Sequence, residues 1–594
     1  MANWYVAAKK ADFNQIAQKF GISPVLARII RNRDIITEEE IEVFLHGTIK
    51  DLHSPFLLKD MDKAVEIIWE KVKNGRKIRI IGDYDIDGVC SAYILEKGLK
   101  ESGALVDTVI PHRIRDGYGL NDELIKEAKA AGVDTILTCD NGIAAMEQIA
   151  LAKELGMSIV VTDHHEVPYE EADGGKKYLL PKADAVIDPK QEDCPYPYKG
   201  ICGAVVAYKF IQAFYGFRTL DFSEGGKGME TLQELFCFAA FATIGDVMEL
   251  TGENRIFVKY GLPLMEKTEN PGLKALILAN GLAGSRLTPY HVGFVLGPCI
   301  NATGRLDTAE RALQLFASED EREAAMIAGD LKAFNDSRKD LTAKGMEEAV
   351  KLVEGTDLKK DHVLVVYLPE CHESLAGIIA GRLREKYGKP VFVLTKGEEE
   401  VKGSGRSIEA FHMYENMTKV KDLFLKYGGH KLAAGLSIKE ERVEEFRERI
   451  NGISCLTEKD FEETVHIDVP MPIAYGTMEF VRELRKLEPY GVGNKKPLFA
   501  EKNISFLRGR LLGKNGNVLK CMLEDERGYQ VEAIYFGDTR QLLWDFEQQF
   551  GNSQVELFLH GKSNEIKAVI AYYPDINEFR GQKSLQLVIM NYSF

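Results

Sequence analysis

The stretch RKIRIIGDYDIDG, residues 76–88, is a short apolar run that ends in Gly-Asp and continues into closely spaced acidic residues. The helical pattern VCSAYILEKGLKESG follows at residues 89–103. Further apolar runs come at ALVDTVIP (104–111), DTILTCDNG (134–142) and MSIVVTDHH (157–165), with the amphipathic stretch NDELIKEAKAAG at 121–132. Short apolar strands that alternate with helices are typical of βαβ units. The sequence therefore predicts an α/β domain built on a parallel sheet.

Acidic and histidine residues come shortly after three of these apolar runs. Asp85 and Asp87 come after the first run, Asp140 after DTILTC, and His164 after MSIVVT. Ligands of open parallel sheets bind beyond the carboxyl ends of the strands, so we expect these motifs to converge. Asp85 and Asp87, two residues apart, point the same way if their segment is extended.

This combination of side chains suits a hard divalent cation. Carboxylates with an imidazole are typical ligands of Mn²⁺ or Mg²⁺, whereas a zinc site would use Cys or several His. Clustered carboxylates cannot all ionise freely without a cation, and two ions about 3.5–4 Å apart could clamp a phosphate and activate water. A single Asp-Gly after a strand is more often a turn or a helix cap. Three such motifs at three strand ends favour metal chemistry instead.

The composition indicates a globular chain without an export signal. The first 20 residues contain no apolar segment behind a basic start, and no later stretch could span a bilayer, so we expect a cytoplasmic protein without membrane association. Nine scattered cysteines form no CxxC pair, which argues against disulfides and structural zinc. The net charge of −15 argues against a nucleic-acid partner. Surface charge is screened within about 10 Å, however, so the local distribution decides.

The remaining pattern divides the chain into four parts. Residues 1 to about 70 have the pattern of short helices. Residues 231–350 are predicted to be mainly helical, and this stretch is long enough to include one long helix. A second α/β pattern follows in DHVLVVYL, ESLAGIIAGRLREKYG and KPVFVLT. Short strands without long helices fill the tail (TVHIDV, NISFLRGRLLG, NVLKCMLED, YQVEAIYF, QVELFLHG and SLQLVIMNY), which is typical of a small antiparallel barrel. The predicted domains are 1–70, 71–345, 346–456 and 457–594.

The ordered motifs resemble those of the DHH phosphoesterase family. GDYDIDG, TCDNGI and TDHHE are similar to its first three motifs, and FATIGDVMEL at 241–250 to its fourth. GPCINATGRLD, CHESLAGIIAGRL, KGSGRS, YGGHKLAAG and LEPYGVGN are similar to the RecJ-type members of that family. The resemblance covers nearly the whole chain and is weakest over the first 50 residues and the extreme carboxyl end. It implies a DHH domain, a DHHA1 domain and an oligonucleotide-binding (OB) barrel.

The resemblance also implies a ligand set for two divalent ions, Mn²⁺ or Mg²⁺. The implied metal ligands are Asp83, Asp85, Asp87, Asp140, His164 and Asp246. Asp140 would bridge both ions, and His165 would stabilise developing charge on the scissile phosphate or protonate the leaving oxygen. Some DHH enzymes carry a ligand histidine two residues before the first motif aspartate, where this chain has Ile81. That departure implies one metal site with fewer protein ligands.

Glycine-rich turns with arginine predict a phosphate pocket. Glycine lets backbone N–H groups approach an anion, and Arg offers a bidentate fork, although each turn alone is also typical of a surface loop. The resemblance implies that the DHHA1 domain grips the 5′ end of the DNA strand on one side of a cleft. The segment after the second strand of the first sheet would form the opposite wall of that cleft. The implied substrate-binding residues are Arg113, Tyr118, Arg305, Ser404, Arg406 and His430.

Local charge in the tail favours a nucleic-acid partner. Ten Lys or Arg stand against three acids between Val481 and Lys520, in a segment that resembles an OB domain, although a charge run is often only a solvated surface. The expected function is a single-strand-specific 5′→3′ DNA exonuclease in recombination and repair. We expect a monomer acting on strands with a free 5′ end, with a helicase and a single-strand-binding protein as possible partners. One alternative is a small-molecule phosphohydrolase, but such an enzyme would not need the basic barrel. The other is an inactive DNA-binding factor, which is disfavoured because every acidic motif position is filled.

Overall fold

The computed structural model describes residues 3–112, 119–172, 175–217, 227–306, 309–397, 400–462, 464–579 and 581–594. The described strands, in chain order, are β1 Asn3–Val6, β2 Lys77–Ile81, β3 Leu105–Val109, β4 Thr135–Cys139, β5 Ser158–Thr162, β6 Tyr169–Ala172, β7 Gly175–Tyr178, β8 Ala185–Ile187, β9 Leu364–Tyr367, β10 Val391–Lys396, β11 Val401–Arg406, β12 Phe424–Gly429, β13 Ala433–Ile438, β14 Thr464–Ile467, β15 Val469–Pro470, β16 Phe499–Leu512, β17 Val518–Glu524, β18 Gln530–Tyr535, β19 Lys567–Phe579 and β20 Gln582–Ser593.

The described α-helices, in the same order, are α1 Phe13–Phe20, α2 Pro24–Asn32, α3 Glu38–His46, α4 Met61–Lys73, α5 Ile86–Glu101, α6 Asp122–Ala130, α7 Met146–Glu154, α8 Gly203–Phe217, α9 Lys227–Gly245, α10 Gly252–Met265, α11 Pro271–Ala279, α12 Pro289–His291, α13 Gly297–Leu306, α14 Glu310–Ala317, α15 Glu321–Gly355, α16 Ala376–Tyr387, α17 Met413–Thr418, α18 Val443–Gly452, α19 Met478–Leu484, α20 Thr539–Phe550 and α21 Asn552–Leu559. A π-helix, Val292–Leu296, joins α12 to α13. None of the described helices combines the length and hydropathy needed to cross a membrane.

The first sheet is parallel, as predicted, in the strand order β3-β2-β4-β5-β8. Every residue of the central strand β4 is buried, because helices cover both faces. One face packs against α5, α8 and α9, and the other against α6 and α7. The strands end at the same edge, so the residues that follow β2, β4 and β5 are brought together there.

Helices connect this sheet to a second, mixed sheet. The helices α9–α15 fill most of residues 227–355, and the predicted long helix is α15, which spans 35 residues. The second sheet has the order β12-β13-β11-β10-β9, with only β9 and β10 parallel among its described pairings. The helix α16 packs on one face with α15, and α17 and α18 pack on the other.

The C-terminal strands close into a barrel. β16 pairs with β17 and β19, β17 with β18, β18 with β20, and β20 with β19. Four of these five pairings are antiparallel, and β18–β20 is parallel. The predicted fold class, a parallel-sheet domain joined by helices to a smaller α/β domain with a C-terminal barrel, is confirmed.

Three local predictions are wrong. QVELFLHG, predicted as a strand, lies mostly in α21, where Val555 and Phe558 are buried at a helical spacing of three. Its neighbour α20, with 12 residues, is also a helix in a tail predicted to lack long ones. The first residues are not all helical either, because β1 pairs in parallel with β14.

The chain divides into two compact units. Residues up to Gly47 form one unit with those from Glu462 on, and Thr48–Phe461 form the other.

Candidate metal centre and active site

The acidic motifs meet at the carboxyl edge of the first sheet. Asp83 follows β2 by two residues, Asp140 follows β4 directly, and Asp163 follows β5 directly. The fourth carboxylate, Asp246, comes directly after α9, and His164 follows Asp163. Asp83, Asp140 and Asp163 are each no more than 2% exposed. The structure thus buries several ionisable groups in one place.

Asp85 and Asp87 diverge, because their segment is not extended, which was the condition for the two side chains to point the same way. Asp85 is the N-cap of α5, and its Oδ1 accepts hydrogen bonds from the backbone N of Asp87 and of Gly88, both at 3.0 Å. Asp87 lies in the first turn of the helix, so its carboxylate leaves the backbone in another direction. A chain that turns into a helix here can send the two carboxylates to different metal sites.

The start of α8 holds Asp87 in place. The Oδ2 atom of Asp87 accepts a hydrogen bond from Gly203 N at 2.6 Å, and Oδ1 accepts one from Ala204 N at 2.8 Å. A Cβ atom at Gly203 would lie 2.8 Å from the Asp140 Cβ, so only glycine allows this approach. Sequence reasoning missed Gly203, because it is a lone glycine before an apolar helix and resembles an ordinary helix start.

Among the residues that the structure describes, three groups of side chains place ligand atoms within 4.8 Å of one another. The groups are Asp83–Asp85–Asp140, Asp87–His164–Asp246 and Asp140–His164–His165. The Nε2 atom of His164 lies 3.0 Å from Asp140 Oδ1, 3.4 Å from Asp87 Oδ2 and 3.9 Å from Asp246 Oδ2. Asp140 is thus common to two groups, and His164 links it to the remaining one.

The electrostatics of these groups fit a bound cation. Burial, and then repulsion by Asp85, raises the pKa of Asp83 to about 7. Burial, and then Asp87, raises the pKa of Asp246 to about 8, and the pKa of buried Asp140 is also raised. Burial lowers the pKa of His164, which keeps its imidazole in the neutral form that binds metals.

A buried carboxylate oxygen in the first group lacks a partner of its own. Among the described residues, Oδ1 of Asp83 is buried without a hydrogen bond. Buried acceptors are normally satisfied, so such an atom indicates a missing ion or water. Divalent cations at these groups would supply the missing interaction and offset the repulsion between carboxylates. The residues present therefore fit the Mn²⁺ or Mg²⁺ expected from the sequence.

His165 is held by a carboxylate that sequence reasoning did not assign to the site. Asp163 Oδ1 lies 2.8 Å from His165 Nδ1, and Asp163 Oδ2 accepts a hydrogen bond from Ile143 N at 2.9 Å. Burial would lower the pKa of His165, but the hydrogen bond and charge of Asp163 raise it to about 9. The His165 side chain is 45% exposed, so a protonated imidazole is accessible beside the carboxylate groups.

A separate cavity lies in the second sheet. Its volume is about 530 Å³, and Ser404 and Arg406 are among its lining residues. Arg406 Nη1 donates to Ser404 Oγ at 3.2 Å and to the Gly405 carbonyl at 2.7 Å. No carboxylate within the described chain lies in ion-pair distance of Arg406, which leaves its charge available to an anion. A Cβ at Gly377 would come within 3.0 Å of Arg406 Nη2, so this glycine of α16 keeps the guanidinium accessible.

Of the other predicted substrate residues, His430 is the one whose side chain the structure describes. Arg113 and Tyr118 lie outside the described residues. Arg305 lies in α13, where only its backbone is described. His430 lies in the turn between β12 and β13, where its N donates to the Ala433 carbonyl at 2.8 Å. It is not among the described lining residues of the cavity.

Protein-family models match three parts of the chain. The DHH family, N-terminal domain, matches residues 77–239, the DHHA1 domain matches 360–453, and the RecJ OB domain matches 467–591. Each match lies inside the corresponding range predicted from the sequence. The first contains the motifs of Asp83, Asp140 and His164, and the second contains Ser404 and Arg406.

Curated relatives and solved structures agree with these matches. The chain is 32% identical to the single-stranded-DNA-specific exonuclease RecJ of Escherichia coli over 587 residues, which cover 96% of each protein. It is 34% identical to the exonuclease of the same name from Bacillus subtilis over 538 residues, 90% of this chain, but it spans only 65% of that protein.

Among solved structures, RecJ from Thermus thermophilus in complex with Mn²⁺ matches with a TM-score of 0.79 and 27% identity, over 100% of this chain and 79% of that one. The same protein in complex with Mg²⁺ matches with a TM-score of 0.74 and 25% identity, over 99% of this chain and 78% of that one. From its identity to relatives over nearly their full length, and from its three family matches, the chain belongs to the RecJ family of single-stranded-DNA-specific exonucleases.

Proposed function

We propose that the protein is a single-strand-specific 5′→3′ DNA exonuclease that hydrolyses phosphodiester bonds with two divalent ions, Mn²⁺ or Mg²⁺, and that it acts in DNA recombination and repair. The observation that carries the proposal is the pair of groups Asp83–Asp85–Asp140 and Asp87–His164–Asp246, joined by the contact of His164 with Asp140. Two adjacent groups of hard ligands support two metal sites with Asp140 between them. The names of the relatives and the ions in their solved structures support the same assignment.

The side chains of the metal centre have different chemical roles. Bound divalent cations supply Lewis acidity, which polarises a phosphodiester and lowers the pKa of water. The carboxylates fix the positions of these charges, with Asp85 held as the α5 cap and Asp87 by the start of α8. His165 is the side chain that can donate a proton or stabilise charge on the substrate, because Asp163 keeps it cationic.

The direction of digestion is assigned to the cavity of the second sheet. An enzyme that starts at the 5′ end needs an end-gripping site at a fixed distance from the metals. Ser404 and Arg406 offer a hydroxyl and a guanidinium to a terminal phosphate, which is a favourable donor set for that anion. Arg113, Tyr118, Arg305 and His430 are proposed to contact the same strand.

The barrel is proposed to guide the strand towards the catalytic unit. Arg508 and Arg510 are exposed on β16, and both pair with residues of β17. Exposed arginines on the outside of an OB-like barrel suit the phosphates of a single strand. We also propose that the protein is a monomer that cooperates with a helicase and a single-strand-binding protein. The proposed domain boundaries lie at residues 70, 345 and 456.

A digest of end-labelled oligonucleotides tests the proposed function. Single strands and duplexes, labelled at either end, are incubated with the protein and Mn²⁺, Mg²⁺ or a chelator. We expect digestion of single strands from the 5′ end with either metal, and none with the chelator. Digestion that starts at 3′ ends, that prefers duplexes, or that continues in the chelator would overturn the proposal.

A further inference from the structure

The cavity around Ser404 and Arg406 is larger than a single phosphate group requires. Its volume of about 530 Å³ lies within the range of about 300–1,000 Å³ that is typical of sites for whole small molecules. Its described lining continues from Ser404 and Arg406 to Lys402, Lys426 and Ser437. A second set of anion-binding side chains therefore lies next to the first.

Lys402, Ser437 and Lys426 form one row across the sheet, here called the lysine row. Lys402 of β11 pairs with Ser437 of β13, and Ser437 pairs in turn with Lys426 of β12. Residues two apart along a strand share a face, so the row lies on the same face as Ser404 and Arg406. Lys402 and Ser404 are separated by roughly 7 Å of strand. The two sets of donors are therefore close enough for one elongated anion.

Glycine forms the floor between the two sets. Ser404 pairs with Gly435, and Gly435 pairs with Gly428. A Cβ atom at Gly428 would meet nothing within 4 Å, and one at Gly435 would meet only the Gly403 carbonyl oxygen at 3.9 Å, as far as the chain is described. The space above both glycines is open to a ligand that extends from Arg406 to the lysine row.

The charge of the cavity favours an anion. Lys402, Lys426 and Arg406 contribute three cations, and Glu373 is the one carboxylate among the described lining residues. Glu373 Oε2 lies 3.3 Å from Lys402 Nζ, so it offsets one of the three. The remaining excess of positive charge, together with the serine hydroxyls, suits phosphate groups.

Among its described lining residues, the cavity offers no ring on which a base could stack. Tyr427 is the one aromatic residue among the described lining residues, but it pairs with the buried Leu436. Its ring stacks with Tyr414, with centroids 5.9 Å apart. Neighbouring residues of a strand point to opposite faces, so the Tyr427 ring lies on the face opposite Lys426. A nucleobase is therefore a poorer occupant than further phosphates.

We propose that the lysine row is a second anion subsite, which holds the outer phosphates of a polyphosphorylated 5′ end while Ser404 and Arg406 hold the inner one. The protein would then bind strands that end in a 5′-triphosphate. The proposal rests on the proposed function, because the phosphodiester to be cut must reach the metal centre of the first sheet. The lysine row is therefore assigned to the phosphates of the 5′ terminus that are farther from the phosphodiester to be cut.

First-cleavage rates test this subsite. Single strands of one sequence, ending in a 5′-hydroxyl, a 5′-monophosphate or a 5′-triphosphate and labelled at the 3′ end, are cut under single-turnover conditions over a range of protein concentrations. We expect Lys426→Ala to weaken the apparent affinity for the triphosphate strand roughly tenfold more than for the monophosphate strand, because a charge-assisted bond is lost. Lys396→Ala is the matched control, since Lys396 is exposed on β10 and pairs with Val401 rather than with the lysine row.

Gly435→Ala gives a second, uncharged test. The methyl group would enter the open floor without backbone strain, and it should weaken triphosphate binding selectively. The proposal is overturned if both variants affect the two phosphorylated strands equally or not at all. Wild-type protein that is inhibited by inorganic triphosphate, but binds the triphosphate strand no better than the hydroxyl strand, would overturn it in favour of a site for free polyphosphate. If instead Arg406→Ala has no effect on the monophosphate strand, the proposed end-gripping function itself fails.

Discussion

Asp163 Oδ1 lies 2.8 Å from His165 Nδ1, so a buried carboxylate both orients this imidazole and stabilises its protonated form. The carboxylate is itself fixed by backbone N–H groups, including that of His164 at 2.7 Å. Asp163 acts through its contact with the catalytic candidate His165, and we therefore treat it as a positioning residue. The protonation state of His165 therefore depends on Asp163, which lies in the same sequence motif as the implied metal ligand His164.

Asp163→Asn should change the pH dependence of cleavage. The pKa of His165 is raised to about 9 beside Asp163, so the protonated form persists to a higher pH than in a free imidazole, whose pKa is about 6.5. Without the charge, the proton leaves at a lower pH, and the contribution of His165 as an acid is lost there. We expect the alkaline limb of the single-turnover rate profile to move to lower pH, with a roughly 10- to 100-fold loss at pH 8. A profile that only drops uniformly, without moving, would contradict this role.

Metal binding should release protons and strengthen with pH. The pKa values of Asp83 and Asp246 are raised to about 7 and about 8, so both carboxyls are partly protonated at neutral pH without a cation. A bound cation requires their ionised forms, and affinity should therefore increase between about pH 6 and 8.5. Titration calorimetry of Mn²⁺ in two buffers of different ionisation enthalpy measures the protons released. An affinity that is constant across this range would show that these carboxyls do not bind the ion.

The sequence predicted the location of the centre better than its internal geometry. Apolar runs and the acidic residues after them were enough to place Asp83, Asp140 and His164 at one sheet edge, because the ends of parallel strands necessarily meet. Whether Asp85 and Asp87 point the same way could not be predicted, since it depends on the helix α5, whose N-cap is Asp85. Gly203 was missed because its contact with Asp87 spans 116 residues of chain, and no local pattern records such an approach.

Arg406→Ala should weaken the grip on phosphorylated ends. A charge-assisted bond contributes about 1.5–3 kcal/mol, so cleavage of 5′-phosphorylated strands at limiting protein should fall roughly 10- to 100-fold. Strands with a 5′-hydroxyl should lose less, because they offer the pocket less charge. Arg449→Ala is a suitable control, since Arg449 pairs with Asp422 on the surface of the same unit. Equal losses on both kinds of strand would remove Arg406 from the end-gripping site.

The barrel should contribute affinity more than chemistry. Replacing the exposed Arg508 and Arg510 by alanine removes two phosphate contacts, and the slope of log affinity against log salt for single strands should become shallower by roughly 1.4. The cleavage rate at saturating protein should change little. Arg540→Ala, an exposed arginine of α20, should leave the slope unchanged. Fluorescence anisotropy with a labelled oligonucleotide at several salt concentrations measures all three proteins, and an unchanged slope in the double variant would make the basic stretch a solvated surface only.

The most direct test of the shared metal centre is the cleavage of a 3′-labelled single strand by Asp140→Ala in Mn²⁺. Asp140 belongs to the first proposed metal group and lies 3.0 Å from His164 of the second, so its loss should disturb both metal sites, whereas an outer ligand would disturb one. Asp134→Ala, at the other end of β4, is the matched control, because Asp134 forms a partly exposed ion pair with Lys71. We expect no detectable cleavage by Asp140→Ala, with circular dichroism and melting like the wild type, and near-normal cleavage by the control. Normal cleavage by a folded Asp140→Ala protein would contradict a two-metal centre that shares this carboxylate.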